Sequence, residues 1–481
     1  MRNNSTKKNF IYNLIYQILI LIIPLITAPY LSRVVGVSGV GTYSYTYSIV
    51  YYFMLLTLLG INNYGNRTIA KVRDNKEKRS KEFWSMYILQ LVMGTIMLIL
   101  YLGYVLIFDV KYKQIALIQS LFIFSSILDI NWFFFGLEEF KTTITRNTFV
   151  KIATVILIFL IVKNKDDLWK YTLIMSSMTV LSQVILWYAL KNKVGFVKIQ
   201  KKDIIKHIKP NLILFIPVIA ISLYKMLDKV MLGSMTNVIE VGYFENAEKI
   251  ANIPMTIISA LGTVMLPRMS NIIAKGEEDK VNNYITKSIN FVMFLSMAMC
   301  FGLVAISFEF APYYFGTEFK KTGVLIALLS FTFPFLSFAN VIRTQYLIPK
   351  EKDRDYIISV SLGAIVNILL NIFLIPMYKS IGACIGTIAA EATVMIYQTI
   401  SVRKELNVLQ YVKNSSPFVV KSILMFIIIY PISLTDMNVI SKLMIQVFMG
   451  CIIYGLLNLK YIMKIVNIRK MFNKIFKRKY I

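Results

Sequence analysis

The sequence predicts an all-α membrane protein of about 14 transmembrane helices. Of its 481 residues, 57% are hydrophobic and 16% are charged, whereas a soluble domain has about 45–50% apolar and about 25% charged residues. A soluble enzyme of this length would lack the polar surface that it needs. Apolar runs of about 20 residues, each long enough to cross a bilayer core about 30 Å thick, recur along the whole chain.

Fourteen apolar runs, bounded by charged or turn residues, qualify as membrane spans. They cover residues 10–30, 43–64, 83–107, 115–137, 148–162, 168–190, 211–232, 250–269, 285–308, 323–347, 356–375, 381–402, 418–434 and 439–459. The run at 148–162 is the shortest and contains Lys151. The run at 10–30 is too long for the apolar part of a signal peptide and lacks a small-residue cleavage site, so it is interpreted as the first span.

The distribution of basic residues predicts the direction of each span. With a cytoplasmic N-terminus, the cytoplasmic segments hold 39 of the 53 Lys and Arg residues, and the opposite side holds 10. Because cytoplasmic loops are rich in Lys and Arg, both chain ends are expected in the cytoplasm. The net charge of +28 is therefore interpreted as loops facing anionic lipid, and nucleic-acid binding is excluded because no soluble basic domain exists.

A weak internal repeat predicts the domain organisation. A Val-Gly pair begins the second span at 40–41 and the eighth at 241–242, an offset of 201 residues or six spans. An even number of spans gives two repeats of the same orientation, related by an axis along the membrane normal. We therefore predict a six-helix lobe at 1–190, a cytoplasmic basic linker at 191–209, a six-helix lobe at 210–405, two additional transmembrane helices at 406–459 and a basic amphipathic cytoplasmic tail at 460–481.

Charged residues inside the seventh span indicate a functional site. Lys225, Asp228 and Lys229 lie at i, i+3 and i+4, on one helical face. Two interpretations are open, a buried ion pair between helices and a solvated cavity lined by cations. We favour the cavity, because Asp228 neutralises only one lysine and a spare buried lysine is costly in a dry interface.

Two carboxylates and three tyrosines are further candidates. Asp129 and Glu391 lie near the middle of spans four and twelve, where each either forms a hydrogen bond between helices while protonated or couples transport to an ion. Tyr43, Tyr45 and Tyr47 begin the second span. They belong either to an aromatic belt at the membrane surface or to a surface on which sugars stack.

Several chemistries are absent from the sequence. Three scattered cysteines and one histidine imply neither a disulfide framework nor a metal site. No phosphate-binding G-x-x-x-x-G-K-[ST] loop is present. We expect a protein that is not an enzyme and has no cofactor apart from a coupling H⁺ or Na⁺. Its transport would be driven by an ion gradient or by the gradient of the substrate itself.

The motifs of the chain resemble those of polysaccharide (O-antigen and capsule) flippases of the Wzx type. The resemblance covers roughly residues 10–405 and weakens after them. It is carried by PLITAPYLSR at 24–33, VVGVSGVGTYSY at 34–45, NYGNR at 63–67, MLDKVMLG at 226–233, EVGYFENAEK at 240–249, LPRMS at 266–270 and LIPMYKSIGA at 374–383.

The resemblance implies a MATE-like fold of the multidrug, oligosaccharidyl-lipid and polysaccharide exporter superfamily. It also implies that an oligosaccharide on undecaprenyl diphosphate crosses a bacterial cytoplasmic membrane to the outer leaflet. We expect this transport to proceed by alternating access through the cationic cavity. Arg33, Lys225 and Lys229 would then lie near the diphosphate, and Asp228 or Glu391 would carry a coupling ion, with Asp129 as a further candidate. Membrane lipid, a polysaccharide polymerase and glycosyltransferases are the expected partners.

Three alternatives remain open. A flippase of the lipid-linked peptidoglycan precursor fits the same span count and a cationic cavity. A MATE-type drug or cation antiporter fits the fold, although spare lysines would repel cationic substrates. A scaffold protein of a polysaccharide-making complex would need no charges within the membrane.

Overall fold

The apolar runs form helices, and the charged and turn residues between them form short connections. The computed structural model describes residues 2–108 and 110–466, apart from the side chains of 2–21, 217, 220, 221, 223–225, 465 and 466, and contains no β-strand within these ranges. Its helices are α1 (Arg2–Leu58), α2 (Ile61–Val72), α3 (Lys76–Ile107), α4 (Lys113–Ile127), α5 (Asn131–Gly136), α6 (Phe140–Ile161), α7 (Leu168–Leu190), α8 (Lys201–Ile205), α9 (Ile208–Met235), α10 (Val238–Ala274), α11 (Glu278–Phe315), α12 (Lys320–Ser330), α13 (Thr332–Ile342), α14 (Asp353–Tyr378), α15 (Ser380–Val402), α16 (Val408–Ile429), α17 (Val439–Leu457) and α18 (Leu459–Val466).

The all-α membrane fold class predicted from the sequence is confirmed. Within the described residues, 12 helical segments are long and apolar enough to cross a membrane. The predicted number of about 14 spans stays a prediction. Helix α1 has 57 residues, about 86 Å at 1.5 Å per residue, which is long enough for two crossings, and α9 has 28 residues.

Helix α1 contains the first predicted span and most of the second, which are joined through a kink and not through a loop. Gly36 lies at the kink with φ 69° and ψ 178°, a backbone conformation that only glycine adopts without strain. Pro29, about two turns earlier, cannot donate a backbone hydrogen bond within the helix. The predicted loop between spans one and two is therefore helical on both sides of Gly36.

The fourth predicted span is interrupted, although the sequence indicated one continuous helix at 115–137. Helix α4 ends at Ile127 and α5 begins at Asn131. The Gln90 side-chain amide of α3 donates hydrogen bonds to three carbonyl groups near the break, those of Ser126, Ile127 and Asp129, at 2.8, 3.2 and 2.8 Å. Because these carbonyls have a partner, the interruption is tolerated inside the protein.

The chain forms two compact units. The first comprises Met1–Glu245 with Asn371–Ser380, and the second comprises Asn246–Leu370 with Ile381–Ile481. The first unit has an aromatic core around Phe83, Trp132 and Phe133, all fully buried. The predicted division into two six-helix lobes with two additional helices stays a prediction. The compact units are defined by contacts between residues, whereas the lobes are defined by a repeat in the sequence.

The second unit contains the helices that follow the predicted repeats. Tyr454 of α17 donates a hydrogen bond to the carbonyl of Phe294 in α11 at 2.9 Å. The predicted amphipathic tail begins as α18, whose Tyr461 ring contacts Phe294 and Phe418 at centroid distances of 5.4 and 4.9 Å. The rest of the predicted tail, residues 467–481, lies outside the described residues.

Candidate functional site

The predicted charge cluster of the seventh span lies on α9 in the first unit. Asp228 is buried, with 3% of its surface exposed, and accepts a hydrogen bond of 2.6 Å from the side-chain amide of Asn371 in α14. Sequence reasoning missed Asn371, which lies 143 residues away in the chain. The side chain of Lys225 lies outside the described residues. A carboxylate held by an amide donor can exist at this depth because its charge is partly compensated.

Lys229 forms an ion pair with a carboxylate of another helix. Its Nζ lies 2.7 Å from Oε2 of Glu245 in α10, and the hydroxyl of Ser44 in α1 donates to the same Oε2 at 2.7 Å. Sequence reasoning expected Asp228 to neutralise one lysine of its own helix. In the structure Lys229 instead pairs with a carboxylate of another helix. The described charged side chains of this cluster are therefore one lysine, Lys229, and two carboxylates, Asp228 and Glu245. The predicted cation-lined cavity therefore stays a prediction.

Two glycines of the internal repeat meet where α1 crosses the first turns of α10. A Cβ atom added to Gly41 would lie 1.7 Å from the carbonyl oxygen of Val238, and one added to Gly242 would lie 2.3 Å from that of Val37. Only glycine permits so close an approach of two helix backbones. The two contacts exchange places under the 201-residue offset, because Val37 corresponds to Val238 and Gly41 to Gly242.

This exchange is the mark of a local pseudo-two-fold axis at the crossing. In an isologous contact, residue i of one copy meets residue j of the other and residue j meets residue i. A residue on the axis meets its own counterpart, and Ser44 bonds Glu245, which is 201 residues later. The offset found in the sequence could therefore have identified Ser44 as the partner of Glu245.

Two of the three predicted tyrosines lie together. The rings of Tyr43 and Tyr47 are stacked, with centroids 5.9 Å apart and planes 9° apart. Tyr171 of α7, for which the sequence carried no signal, packs edge-on against Tyr43 at 4.8 Å. Tyr45 points elsewhere: a Cβ atom on Gly233 would lie 2.0 Å from its ring. Tyr45 therefore packs against α9, away from the other two rings, since residues i and i+2 face opposite sides of a helix. Sugar contacts of the three tyrosines stay a prediction.

Asp129 does not lie in the middle of a helix, as the sequence indicated, but in the break between α4 and α5. Its carboxylate accepts hydrogen bonds from the backbone and side-chain amides of Asn131 at 2.8 and 2.6 Å. Arg146 of α6, 6% exposed, donates to the side-chain oxygen of Asn131 at 2.9 Å. Sequence reasoning missed this buried arginine. The bond from Asp129 to the backbone amide two residues later is that of an Asx turn, and the role of Asp129 in ion coupling stays a prediction.

The remaining two candidates occupy contrasting environments. Glu391 of α15, in the second unit, is 5% exposed, and no hydrogen bond or ion pair to its carboxylate is present among the described residues. Arg33 is exposed and lies three residues before the kink at Gly36 in α1. The described residues contain no group of three or more His, Cys, Asp or Glu side chains that could hold a metal ion.

Comparison with known proteins supports the fold and the predicted family. The chain is 24% identical over 404 residues to a putative O-antigen transporter of Escherichia coli K12, which covers 83% of this chain and 97% of that protein. The structure of the lipid II flippase MurJ in an inward closed conformation has a TM-score of 0.79 at 18% identity, covering 95% of this chain and all of that one. A MATE family multidrug resistance transporter of the MOP superfamily has a TM-score of 0.49 at 14% identity, with 82% and 94% coverage.

The family follows from the sequence profile that matches the chain. The profile described as polysaccharide biosynthesis protein matches residues 6–273, more than half of the 481 residues. The predicted resemblance to Wzx-type polysaccharide flippases is thereby confirmed, and the fold is that of the MurJ structure. This multi-pass membrane protein belongs to the polysaccharide biosynthesis protein family.

Proposed function

We propose that this protein is a flippase for lipid-linked oligosaccharides. It moves repeat units on undecaprenyl diphosphate from the cytoplasmic to the outer leaflet of a bacterial cytoplasmic membrane, for the synthesis of a capsule or another surface polysaccharide. The observation that carries the proposal is the match to the Escherichia coli putative O-antigen transporter, which extends over 97% of that protein. Transport of this kind makes and breaks no covalent bond.

The buried charges support a site for the diphosphate. A diphosphate carries negative charge that lysine and arginine pair with strongly where water is scarce. Arg33, Lys225 and Lys229 are the proposed ligands. Because Glu245 holds Lys229 at 2.7 Å, the diphosphate would replace this carboxylate as the partner of the lysine. The lysine would stay paired with an anion, and the displaced Glu245 would keep the hydrogen bond from the Ser44 hydroxyl.

Aromatic residues support a neighbouring site for sugars. The stacked rings of Tyr43 and Tyr47, with Tyr171 edge-on beside them, form a row of flat apolar surfaces with hydroxyl groups. Sugar rings stack on such surfaces and accept hydrogen bonds from phenol groups. Both Tyr43 and Tyr47 lie on the same helix as Ser44, one of the groups that hold Glu245.

The glycine crossing supports alternating access. Two repeats of the same orientation that meet on a pseudo-two-fold axis can rock against each other about that axis. We propose that the crossing of α1 and α10 lies at the outer side and is closed here, and that it separates when the substrate leaves. The positive-inside count, 39 against 10 basic residues, supports this orientation with both termini in the cytoplasm.

Two carboxylates are proposed to couple transport to H⁺ or Na⁺. Glu391 is buried and free of described hydrogen bonds and ion pairs, so its ionised form is unfavourable within the membrane. Asp228 shares its site with the amide of Asn371, and an amide and a carboxylate supply the oxygen ligands that Na⁺ accepts. D228N and E391Q are expected to slow transport. Intact transport in the D228N/E391Q double variant would refute the coupling proposal.

Deletion of the gene in its host tests the function. We expect loss of one surface polysaccharide and accumulation of its undecaprenyl-linked repeat unit in the inner leaflet, both restored by the intact protein. Accumulation of a lipid-linked peptidoglycan precursor would move the assignment to that substrate. Normal glycans with altered accumulation of cationic dyes would instead indicate a drug antiporter.

Variants of the proposed diphosphate site distinguish a transporter from a scaffold protein that only assembles other proteins. K225A/K229A is expected to abolish export, whereas a scaffold for a polymerase or glycosyltransferases would keep its function after these changes. K163A, an exposed lysine near the start of α7, is the matched control and should export normally. Equal export by the double variant and the control would refute the diphosphate site.

A further inference from the structure

The predicted basic linker, residues 191–209, is fixed to the beginning of α3. The guanidinium of Arg79 donates to the carbonyl of Lys193 through Nε and Nη2 at 3.1 and 2.7 Å. The backbone amide of Gly195 donates to the Ser80 hydroxyl at 2.8 Å, and the Trp84 indole donates to the Gly195 carbonyl at 3.0 Å. These contacts hold the linker in one place, so the side chains that follow have a defined position.

The fixed segment presents an aromatic ring outward. Phe196 is 96% exposed, and its ring lies parallel to that of Trp84, at a centroid distance of 5.7 Å and an angle of 14°. Ile205 of α8 is also exposed, at 52%. Exposed apolar groups on an ordered backbone indicate a surface that something else covers.

The same segment carries a marked excess of positive charge. The linker has seven lysines and one acidic residue, Asp203. Asp203 pairs with Lys81 of α3 at 3.0 Å. Two of the seven lysines pair with carboxylates elsewhere in the first unit, Lys193 with Glu139 and Lys206 with Glu82. Lys198, Lys201 and Lys202 are exposed, and among the described residues they form no ion pair.

We propose that Phe196 and the three lysines Lys198, Lys201 and Lys202 form a binding surface for anionic phospholipid. Aromatic rings settle at the level of lipid headgroups, and lysines beside them pair with the phosphates. The occupant is a lipid surface because the linker joins two long apolar helices, α7 ending at Leu190 and α9 beginning at Ile208. Both ends are therefore held at the bilayer. This surface is independent of the transported substrate.

The proposal is tested by counting the lipids that the purified full chain retains. Native mass spectrometry gives the apparent dissociation constant for phosphatidylglycerol and, separately, for phosphatidylcholine. Each lysine near an anionic leaflet contributes about fivefold, so K198Q/K201Q/K202Q is expected to weaken phosphatidylglycerol binding at least tenfold without changing phosphatidylcholine binding. The matched control K111Q/K113Q/K163Q removes three exposed lysines from the two loops on the predicted opposite side and should bind both lipids normally.

A second measurement locates the lipid contact. In nanodiscs, hydrogen exchange of residues 194–205 should slow when phosphatidylcholine is replaced by phosphatidylglycerol. In F196S this slowing should be smaller than in the unaltered protein. F196S leaves every basic residue of the chain unchanged, so a difference from the unaltered protein comes from the aromatic ring. Equal phosphatidylglycerol binding by K198Q/K201Q/K202Q and the control, or no change in exchange of 194–205 in the unaltered protein, would overturn the proposal.

Discussion

Gly41→Ala is expected to hold the crossing of α1 and α10 partly open. An alanine Cβ would lie 1.7 Å from the carbonyl oxygen of Val238, against about 3.3 Å for an ordinary carbon–oxygen contact. The two backbones must therefore separate by about 1.6 Å. For Gly242→Ala the starting distance is 2.3 Å, and the separation needed is about 1.0 Å. Overpacking of this kind costs about 1–3 kcal/mol, a shift of roughly 5–150-fold toward the open form.

A buried cysteine reports the opening. Val40, beside the crossing and 8% exposed, is replaced by cysteine in a chain whose exposed Cys451 is changed to serine. Labelling by a membrane-impermeant maleimide is then followed in intact cells. G41A should raise the labelling rate of V40C at least tenfold, and G242A should raise it by a smaller factor, because the required separation is smaller.

The matched control is G302A, since a Cβ at Gly302 meets no atom within 4 Å. It removes a glycine from α11 without any clash and should leave labelling of V40C unchanged. If G41A and G302A gave equal labelling rates, the crossing would not be the closed contact that the distances describe. Labelling of G41A only in inverted vesicles would place the crossing at the cytoplasmic side and refute the proposed orientation.

Three further outcomes are expected. Because the buried Lys229 lies 2.7 Å from the partly buried Glu245, K229M or E245Q alone should lower the free energy of unfolding by up to about 3–5 kcal/mol, and the double variant should lose less than the sum of the two. Y43L should slow glycan-lipid export about fivefold through loss of one stacking ring. The hydrogen bond from Lys81 lowers the pKa of Asp203, so the stability that D203N removes should be present above about pH 4 and vanish as the pH falls through the lowered pKa.

Controls distinguish these outcomes from general damage. K280M breaks an exposed pair with Glu277 and should cost less than about 1 kcal/mol, measured by unfolding in mixed micelles. Y188L removes a tyrosine that is 81% exposed and should leave export unchanged. A stability difference between D203N and the intact protein that persists undiminished at pH 2–3 would contradict the assignment of the pKa shift.

The sequence predicted the helices well because apolar runs in a membrane have few alternatives. A backbone without water must satisfy its own hydrogen bonds, so a run of about 20 apolar residues becomes a helix. The breaks were harder to predict. The apolar residues around Gly36 are compatible with a helix and with a loop. The interruption before Asn131 depends on hydrogen bonds from Gln90, a residue of another helix.

The candidate site was predictable as a set of residues but not as a set of contacts. Asp228 and Lys229 stand out in any apolar span, because charge within a membrane is costly. Their partners come from other helices, Asn371 and Glu245, and no periodicity within α9 contains that information. The position of Tyr45, in contrast, could be predicted from the sequence. Residues two apart in a helix face different sides, so Tyr45 and Tyr43 cannot belong to one surface.

The bond between Ser44 and Glu245 is a contact that two identical chains could not form on a two-fold axis. In a symmetric pair of identical chains, positions on the axis carry the same side chain, and two glutamates there would repel each other. In a single chain the two positions are different residues and can mutate independently. Here Ser44 supplies a hydroxyl donor and Glu245 a carboxylate acceptor, 2.7 Å apart. A single chain thus permits an unequal pair on the axis, where two identical subunits would bring together two copies of the same side chain.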